Sequence, residues 1–182
     1  VGRACHLVTT NESRVMIDVG VNIASDTDPM PYFTAPEALP MEKMDAVILT
    51  HAHLDHAGML PVLFRYGYRG PVYCTPPTRD MMLLLQSDYL KVGGAEGKRA
   101  PYDMEDIRTC MRHVVDVDWG QTVDIAPDMK LTFHNAGHIL GSSSVHLHVG
   151  DGKHNIVFSG DQKYEKSWLF DAANTRFPRC ET

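Results

Sequence analysis

Four side chains able to bind a metal fall within six residues, at His51-Ala-His53-Leu-Asp55-His56. Imidazole and carboxylate together suit zinc and its borderline relatives, because neutral nitrogen and anionic oxygen donors match ions of that hardness. Six residues cannot complete two metal shells, so further donors must come from elsewhere in the chain. Three positions offer them. Asp18 closes the apolar run Val15-Met16-Ile17, His138 sits in the glycine-flanked turn Asn135-Ala-Gly137-His138-Ile-Leu-Gly141, and Asp161 follows Phe158-Ser159-Gly160. Each lies at the carboxyl end of a strand-like run beside glycine, where backbone and ligand can approach closely. A single strand-end Asp is most often a turn former, but together with the opening segment these positions point to a metal site. The remaining histidines read differently. His6, His113 and His154 have no ligand-like neighbours and are expected to pack or face solvent. His146 and His148 share a strand face with no carboxylate beside it, so a solvent-facing strand is expected there.

Ligands of this kind need strands to hold them. The run Asp45–Thr50 reads as a short buried strand leading straight into the ligand segment. Further strands are expected over Ala4–Thr9, Arg14–Val19, Pro71–Thr75, Val114–Val117, Lys130–Asn135, Ser144–Val149 and Asn155–Ser159. Val145, Leu147 and Val149 alternate with His146 and His148, the period of a half-buried strand. Helices are expected over Ala57–Tyr66, behind the ligand loop, over Arg79–Leu90 after a Pro76-Pro77-Thr78 cap, and over Tyr102–Met111, whose early acids suit a helix start. Gly93–Pro101, with Lys98 and Arg99, and the proline-rich stretch Asp26–Pro40 read as surface loops. The pattern is a single α/β layer structure.

The chain has 182 residues, 43% of them hydrophobic and 22% charged, which fits one globular domain with a real core. No apolar run approaches the roughly 20 residues of a membrane span, and no signal peptide is visible. The start at Val1 and the end at Cys180-Glu181-Thr182 suggest a piece of a longer chain. A formal net charge of −6 argues against this region as the main grip on nucleic acid. Four cysteines without a CxxC pair fit neither a zinc ribbon nor a disulfide framework. Cys5 and Cys74 read as small hydrophobes, and cytoplasm is the default compartment.

Asp18, His51-x-His53-x-Asp55-His56, His138 and Asp161 resemble, in order, the first four motifs of the metallo-β-lactamase fold. The stretches Thr50–Pro61, Ala136–Ser142, Ser159–Glu165 and Phe177–Thr182 are similar to β-CASP nucleases of the cleavage and polyadenylation specificity factor type, and to the archaeal members above all. The resemblance spans essentially the whole chain. It implies an α/β fold, the αβ/βα sandwich, partial here, with residues 1–182 as its N-terminal portion and the β-CASP insertion and final strands absent. It further implies two Zn2+ ions, the first held by His51, His53 and His138, the second by Asp55 and His56, with Asp161 bridging. Asp18 would orient the ligand loop, and Asp18, Asp55 and Asp161 would be the catalytic carboxylates. The implied reaction is attack of a metal-bridging hydroxide on a phosphodiester.

Two departures stand out. The family completes its second metal site with a later histidine and protonates the leaving group with another, and neither falls within residues 1–182, so the second site is incomplete here. Gln162 also stands where most relatives carry an aromatic residue. The expected function is a zinc-dependent endonuclease, with 5′-3′ exonuclease activity besides, acting on single-stranded RNA in 3′-end processing or transcription termination. A homodimer or a transcription complex would form through other parts of the protein, and no membrane is involved. A hydrolase of small thioesters or lactams uses the same cradle, because fold does not fix function. An inactive scaffold is the third alternative, and six intact ligand positions speak against it.

Overall fold

The apolar run at residues 45–50 builds a central strand with neither face in water. In the computed structural model, which describes residues 2–182 apart from 26, 29, 32, 34, 35, 99 and 151, the first sheet holds five strands. They are β1 (His6–Thr9), β2 (Arg14–Ile17), β3 (Ala46–Ile48), β4 (Val72–Cys74) and β5 (Val114–Asp116), in that spatial order. β1 and β2 pair antiparallel, and β2 to β5 run parallel. Val47 of β3 packs into a helix-side core with Met16 and Leu63, while Ala46 and Ile48 pack into a second core with Phe133 and Leu147. Burial on both faces is why this strand reads as a continuous apolar run rather than an alternating one.

The second sheet is antiparallel throughout: β6 (Thr122–Ala126), β7 (Met129–Asn135), β8 (Ser143–Val149) and β9 (His154–Phe158). β6 is absent from the strands expected from sequence. Its alternation of Val123 and Ile125 with Thr122 and Asp124 is present, but only Ile125 is fully buried, so its apolar signal is weak. Leu131 and Phe133 of β7 and Val145 and Leu147 of β8 face the first sheet across the second core. Along the other face lies the irregular terminal stretch. The Asn174 amide donates to the Asn135 carbonyl, that of Glu181 to Asn155, and Phe177 packs edge-on against His134.

Among the described residues four α-helices lie against the first sheet: α1 (Leu54–Ala57), α2 (Leu60–Arg65), α3 (Pro76–Ala95) and α4 (Met104–Met111). The single helix expected over Ala57–Tyr66 is divided, because the Met59 amide donates to the Val19 carbonyl at 2.8 Å instead of continuing a helical ladder. α3 runs through Gly93 and Gly94, where a loop was expected. A left-handed Gly97 with bonds from Lys98 N to Gly93 O (2.8 Å) and Gly97 N to Gly94 O (3.2 Å) ends it only there. Lys98 follows that cap, and Arg99 lies outside the described residues. In α4, Asp103 and Asp106 form a reciprocal capping box, worth about 1 kcal/mol. Among the described residues, no helix is long and apolar enough to cross a membrane.

Candidate metal centre

A four-residue helix such as α1 cannot persist alone, since a single turn fixes several dihedrals for very few hydrogen bonds. It is held from outside. The amides of Ala4, Val19 and Val21 donate to the carbonyls of Asp55, His56 and Leu54, and Gln86 Nε2 on α3 donates to the Ala57 carbonyl at 2.8 Å. The approach leaves no room for a side chain at residue 20, where a Cβ would lie 1.6 Å from the Asp55 carbonyl oxygen. The ligand-bearing turn is therefore clamped between the segment after β2 and the longest helix.

Within this frame the donors converge. His51 Nε2 lies 3.1 Å from His53 Nδ1, and His138 Nε2 lies 3.2 Å from the same atom. Asp161 Oδ2 stands 3.5 Å from His138 Nε2 and 4.0 Å from His51 Nε2. One donor atom from each of these four residues lies within 4.8 Å of all the others, a spacing that could hold one metal ion. The other carboxylate oxygen, Asp161 Oδ1, faces His56 Nε2 at 3.5 Å, and Asp55 Oδ2 is 3.9 Å from that nitrogen. The structure thus brings together all six residues of the expected ligand set, in two groups that share Asp161.

The donor chemistry fits a divalent cation. Burial, and then the neighbouring His56, His53 and His138, push the His51 imidazolium pKa down to about 2, so its nitrogen keeps a free lone pair. Burial and His138 likewise lower the pKa of His53. Behind these rings Asp18, buried and in a left-handed conformation (φ 59°), gathers three donors. Its Oδ1 accepts from the Thr50 amide at 2.8 Å, and its Oδ2 accepts from the Thr50 hydroxyl at 2.8 Å and from His56 Nδ1 at 2.7 Å. The Thr50 hydroxyl in turn stands 3.0 Å from His51 Nδ1. This network assigns the protons to both Nδ1 atoms and turns both Nε2 atoms toward the centre. Burial disfavours a charged His56, yet the bond to Asp18 and the nearby carboxylates outweigh it and raise the pKa. Thr50 carries this relay without having stood out as functional in the sequence, since a strand-end threonine has no distinctive signature.

His138 is placed by the turn after β7. Asn135 Oδ1 accepts from the Gly137 amide at 2.9 Å, and Ser142 Oγ accepts from the His138 amide at 3.0 Å. The Ser143 amide donates to the Thr50 carbonyl at 2.8 Å, joining this turn to the first ligand strand. Gln162, beside the shared carboxylate, donates from Nε2 to Ser144 Oγ at 2.7 Å. A cleft of about 290 Å³ opens alongside, lined by Asp18, Thr50, His56, Gly160 and Asp161. His6, expected only to pack or face solvent, lines the same cleft and lies against Phe158 at 5.5 Å. The expectation of a solvent-facing His146 is wrong: the residue is 1% exposed, because the terminal stretch with Phe177 covers that face of β8.

Known proteins share this fold. The Metallo-beta-lactamase superfamily domain matches residues 7–177. The chain is 58% identical over its full length to the transcription termination factor FttA of Methanosarcina mazei and 55% identical to that of Methanocaldococcus jannaschii. It spans 29% and 28% of the length of these relatives. Among solved structures, the metallo-beta-lactamase fold protein YhfI of Bacillus subtilis superposes with a TM-score of 0.56 at 20% identity, covering 91% of this chain and 57% of its own. A protein of unknown function from Enterococcus faecalis gives 0.60 at 16% identity, covering 90% and 41%.

Proposed function

The chain belongs to the metallo-beta-lactamase superfamily, and from that premise we propose that it carries the zinc-binding centre of an RNA endonuclease acting in transcription termination or RNA 3′-end processing. The observation that supports this best is the placement of Asp161, with one oxygen toward His51 and His138 and the other toward His56. A carboxylate shared between two donor groups suits a pair of cations, and paired cations suit displacement at phosphorus. In this reading His51, His53 and His138 would hold one ion, Asp55 and His56 the other, and Asp161 would serve both. Bound there, two divalent ions supply Lewis acidity and lower the pKa of water.

The chain's own residues do the rest. Asp18 and Thr50 keep the protons of His51 and His56 on the nitrogens that face away from the centre. The cleft beside His56 and Asp161 gives a phosphodiester a way in. RNA as the substrate, with a cytoplasmic site of action, rests on the names of the archaeal relatives and on the motif blocks around His51, His138 and Asp161.

The test is cleavage of single-stranded RNA by the full-length protein that contains these residues, loaded with zinc. Asp161→Ala and His53→Ala should each remove cutting while the fold survives. Retained cutting in both would sink the proposed site. Hydrolysis of a thioester without action on RNA would replace the nuclease by a small-molecule hydrolase, and absence of bound metal in the gently purified chain would favour a scaffold.

A further inference from the structure

Helix α3 turns two of its leucines toward solvent and two polar residues inward. Leu83 is 39% exposed and Leu84 68%, while the residues it buries are Thr78, Met82 and Gln86, spaced four apart along one face. Apolar packing alone would favour leucine on that face. A buried amide or hydroxyl costs stability unless its hydrogen bonds are made, so the bonds of Thr78 and Gln86 carry the explanation.

Both bonds go to turns that bear metal donors. Gln86 Nε2 donates at 2.8 Å to the carbonyl of Ala57, the residue after His56. A carbonyl only accepts, which fixes the end of the amide that faces it. The helical partner four residues on is Pro61, which has no N–H to offer. Gln86 thus supplies from α3 a donor that the local chain lacks. Its other end is left without a match: Gln86 Oε1 is buried and meets no partner in good hydrogen-bond geometry among the described residues. Methionine would fill the same space without that atom, so the glutamine is explained by its bond to Ala57 rather than by its packing.

The start of α3 holds the second turn. The hydroxyls of Thr75, its cap residue, and of Thr78 reach the Gly141 carbonyl at 2.7 and 3.1 Å, three residues after His138. The approach is close: at Gly141 (φ 79°) a Cβ would lie 2.8 Å from the Thr78 amide nitrogen. Ser143 Oγ stands 3.1 Å from the same carbonyl, so Thr78 shares this task.

We infer that α3 is a strut that sets the spacing of the two donor groups, with Gln86 and Thr78 as positioning residues bonded to the backbone of the donor turns. The inference rests on the two-metal reading above and is independent of the substrate. Thr78 and Gln86 lie about 12 Å apart along the helix axis, at 1.5 Å per residue. A turn fixed at each of these points keeps Asp55 and His56 at a set distance from His138.

The experiment uses the full-length protein that contains these residues. It measures zinc affinity by competition with a chromogenic chelator, and amide hydrogen exchange in the metal-free state. Gln86→Met should weaken zinc binding about tenfold. It should also speed exchange at the Ala57 and Gly58 amides, which close α1 onto the carbonyls of His53 and Leu54. Met82→Leu, on the same buried face and of similar volume, should move neither readout. Thr78→Val should weaken binding about threefold, and Thr78→Ser should restore it. Gln86→Met that behaves as Met82→Leu in both readouts overturns the strut. Equal affinities of Thr78→Val and Thr78→Ser overturn its second anchor. A wild-type protein that binds no zinc would sink the metal reading alone, because faster exchange in Gln86→Met would still show α3 holding the turn.

Discussion

Two histidine triads lie at the second sheet, one beyond the ends of its strands and the other on its outer face, and both bring their rings within about 5.5 Å of a neighbour. Ring centroids of His51, His53 and His138 are 4.8–5.2 Å apart. Those of His134 and His146 are 5.5 Å apart, and of His146 and His148, 4.1 Å. The difference is where the nitrogens point. In the first triad three nitrogens face one another with Asp161 beside them, and the opposite nitrogen of His51 is held by Thr50. In the second, both nitrogens of His148 are engaged, by Thr132 at 2.9 Å and Asn155 at 2.7 Å. Asn174 Nδ2 donates to His134 Nδ1 at 3.1 Å, which leaves the His134 Nε2 proton to face His146 Nδ1 at 3.4 Å. Phe177 closes the face. Proximity of imidazoles does not make a metal site; converging lone pairs, a carboxylate and an open side do.

Substitution should separate the two triads most sharply in activity. If the proposed reading holds, His53→Ala or Asp161→Ala in the zinc-loaded full-length protein should lower RNA cleavage by at least about 1,000-fold, since each would remove a donor to the cations that act on the phosphate. His148→Ala should stay within about threefold, because both His148 nitrogens are engaged within the second sheet and neither faces a donor of the first triad. Single-turnover cleavage of a labelled RNA reads both. Equal losses in both triads would erase the distinction between them.

The next effect in size lies behind the first triad. Asp18→Asn keeps the shape but replaces an oxygen acceptor with an amide, so His56 Nδ1 loses its anionic partner. Metal affinity should fall about 10- to 100-fold, the usual cost of removing such a support, measured by competition with a chromogenic chelator. Thr50→Val should weaken affinity less, because Asp18 still receives the amide of residue 50 and His56.

The first triad was legible in the sequence and the second was not, for a physical reason. Donors at strand ends come in short local motifs: His51 to His56 occupy one turn, and His138 and Asp161 each follow a strand beside glycine. β2, β3, β4, β8 and β9 were equally plain, because apolar runs with flanking turns mark them. His146 and His148 carry the same alternation in sequence whether their face meets water or a covering segment. Only the tertiary path of residues 174–182 decides that. The extent of α3 was hidden likewise, since Gly93-Gly94 reads as a break until the cap at Gly97 is seen. Thr50 became a relay only once Asp18 was placed beside it.

Acid should destabilise both triads in the metal-free chain. His51, His53, His134 and His146 all have lowered pKa values, first through burial and then through neighbouring histidines. A histidine kept neutral in the fold binds more protons once unfolded. Its contribution is therefore intact above the ordinary pKa of 6.5 and is lost as pH falls below it. His56 works the other way: its raised pKa adds stability below 6.5, which is lost as pH rises through the folded value. Four groups outweigh one, so the melting temperature of the chelated chain should drop on the order of 5 °C between pH 7 and pH 5. A flat profile would mean that the rings are solvated in solution.

The smallest effect should also be opposite in sign between the triads. His146 is buried, and among the described residues its Nε2 meets no partner in good hydrogen-bond geometry, the Arg179 backbone and Asn155 being only weak neighbours. A buried unmatched polar atom costs roughly 1–3 kcal/mol, whereas the single 3.4 Å contact of Nδ1 with His134 is long and returns little. Leucine is close to histidine in size and suits a covered strand face, so His146→Leu should leave stability unchanged or raise it by about 1 kcal/mol. The same change at His51 should lower stability in the presence of zinc, because bound metal stabilises only the folded chain that can hold it. Urea unfolding of both variants, with zinc and with chelator, measures the contrast. A loss above about 2 kcal/mol in His146→Leu would show that this ring has a hydrogen-bond partner in solution and that the second triad is more than packing.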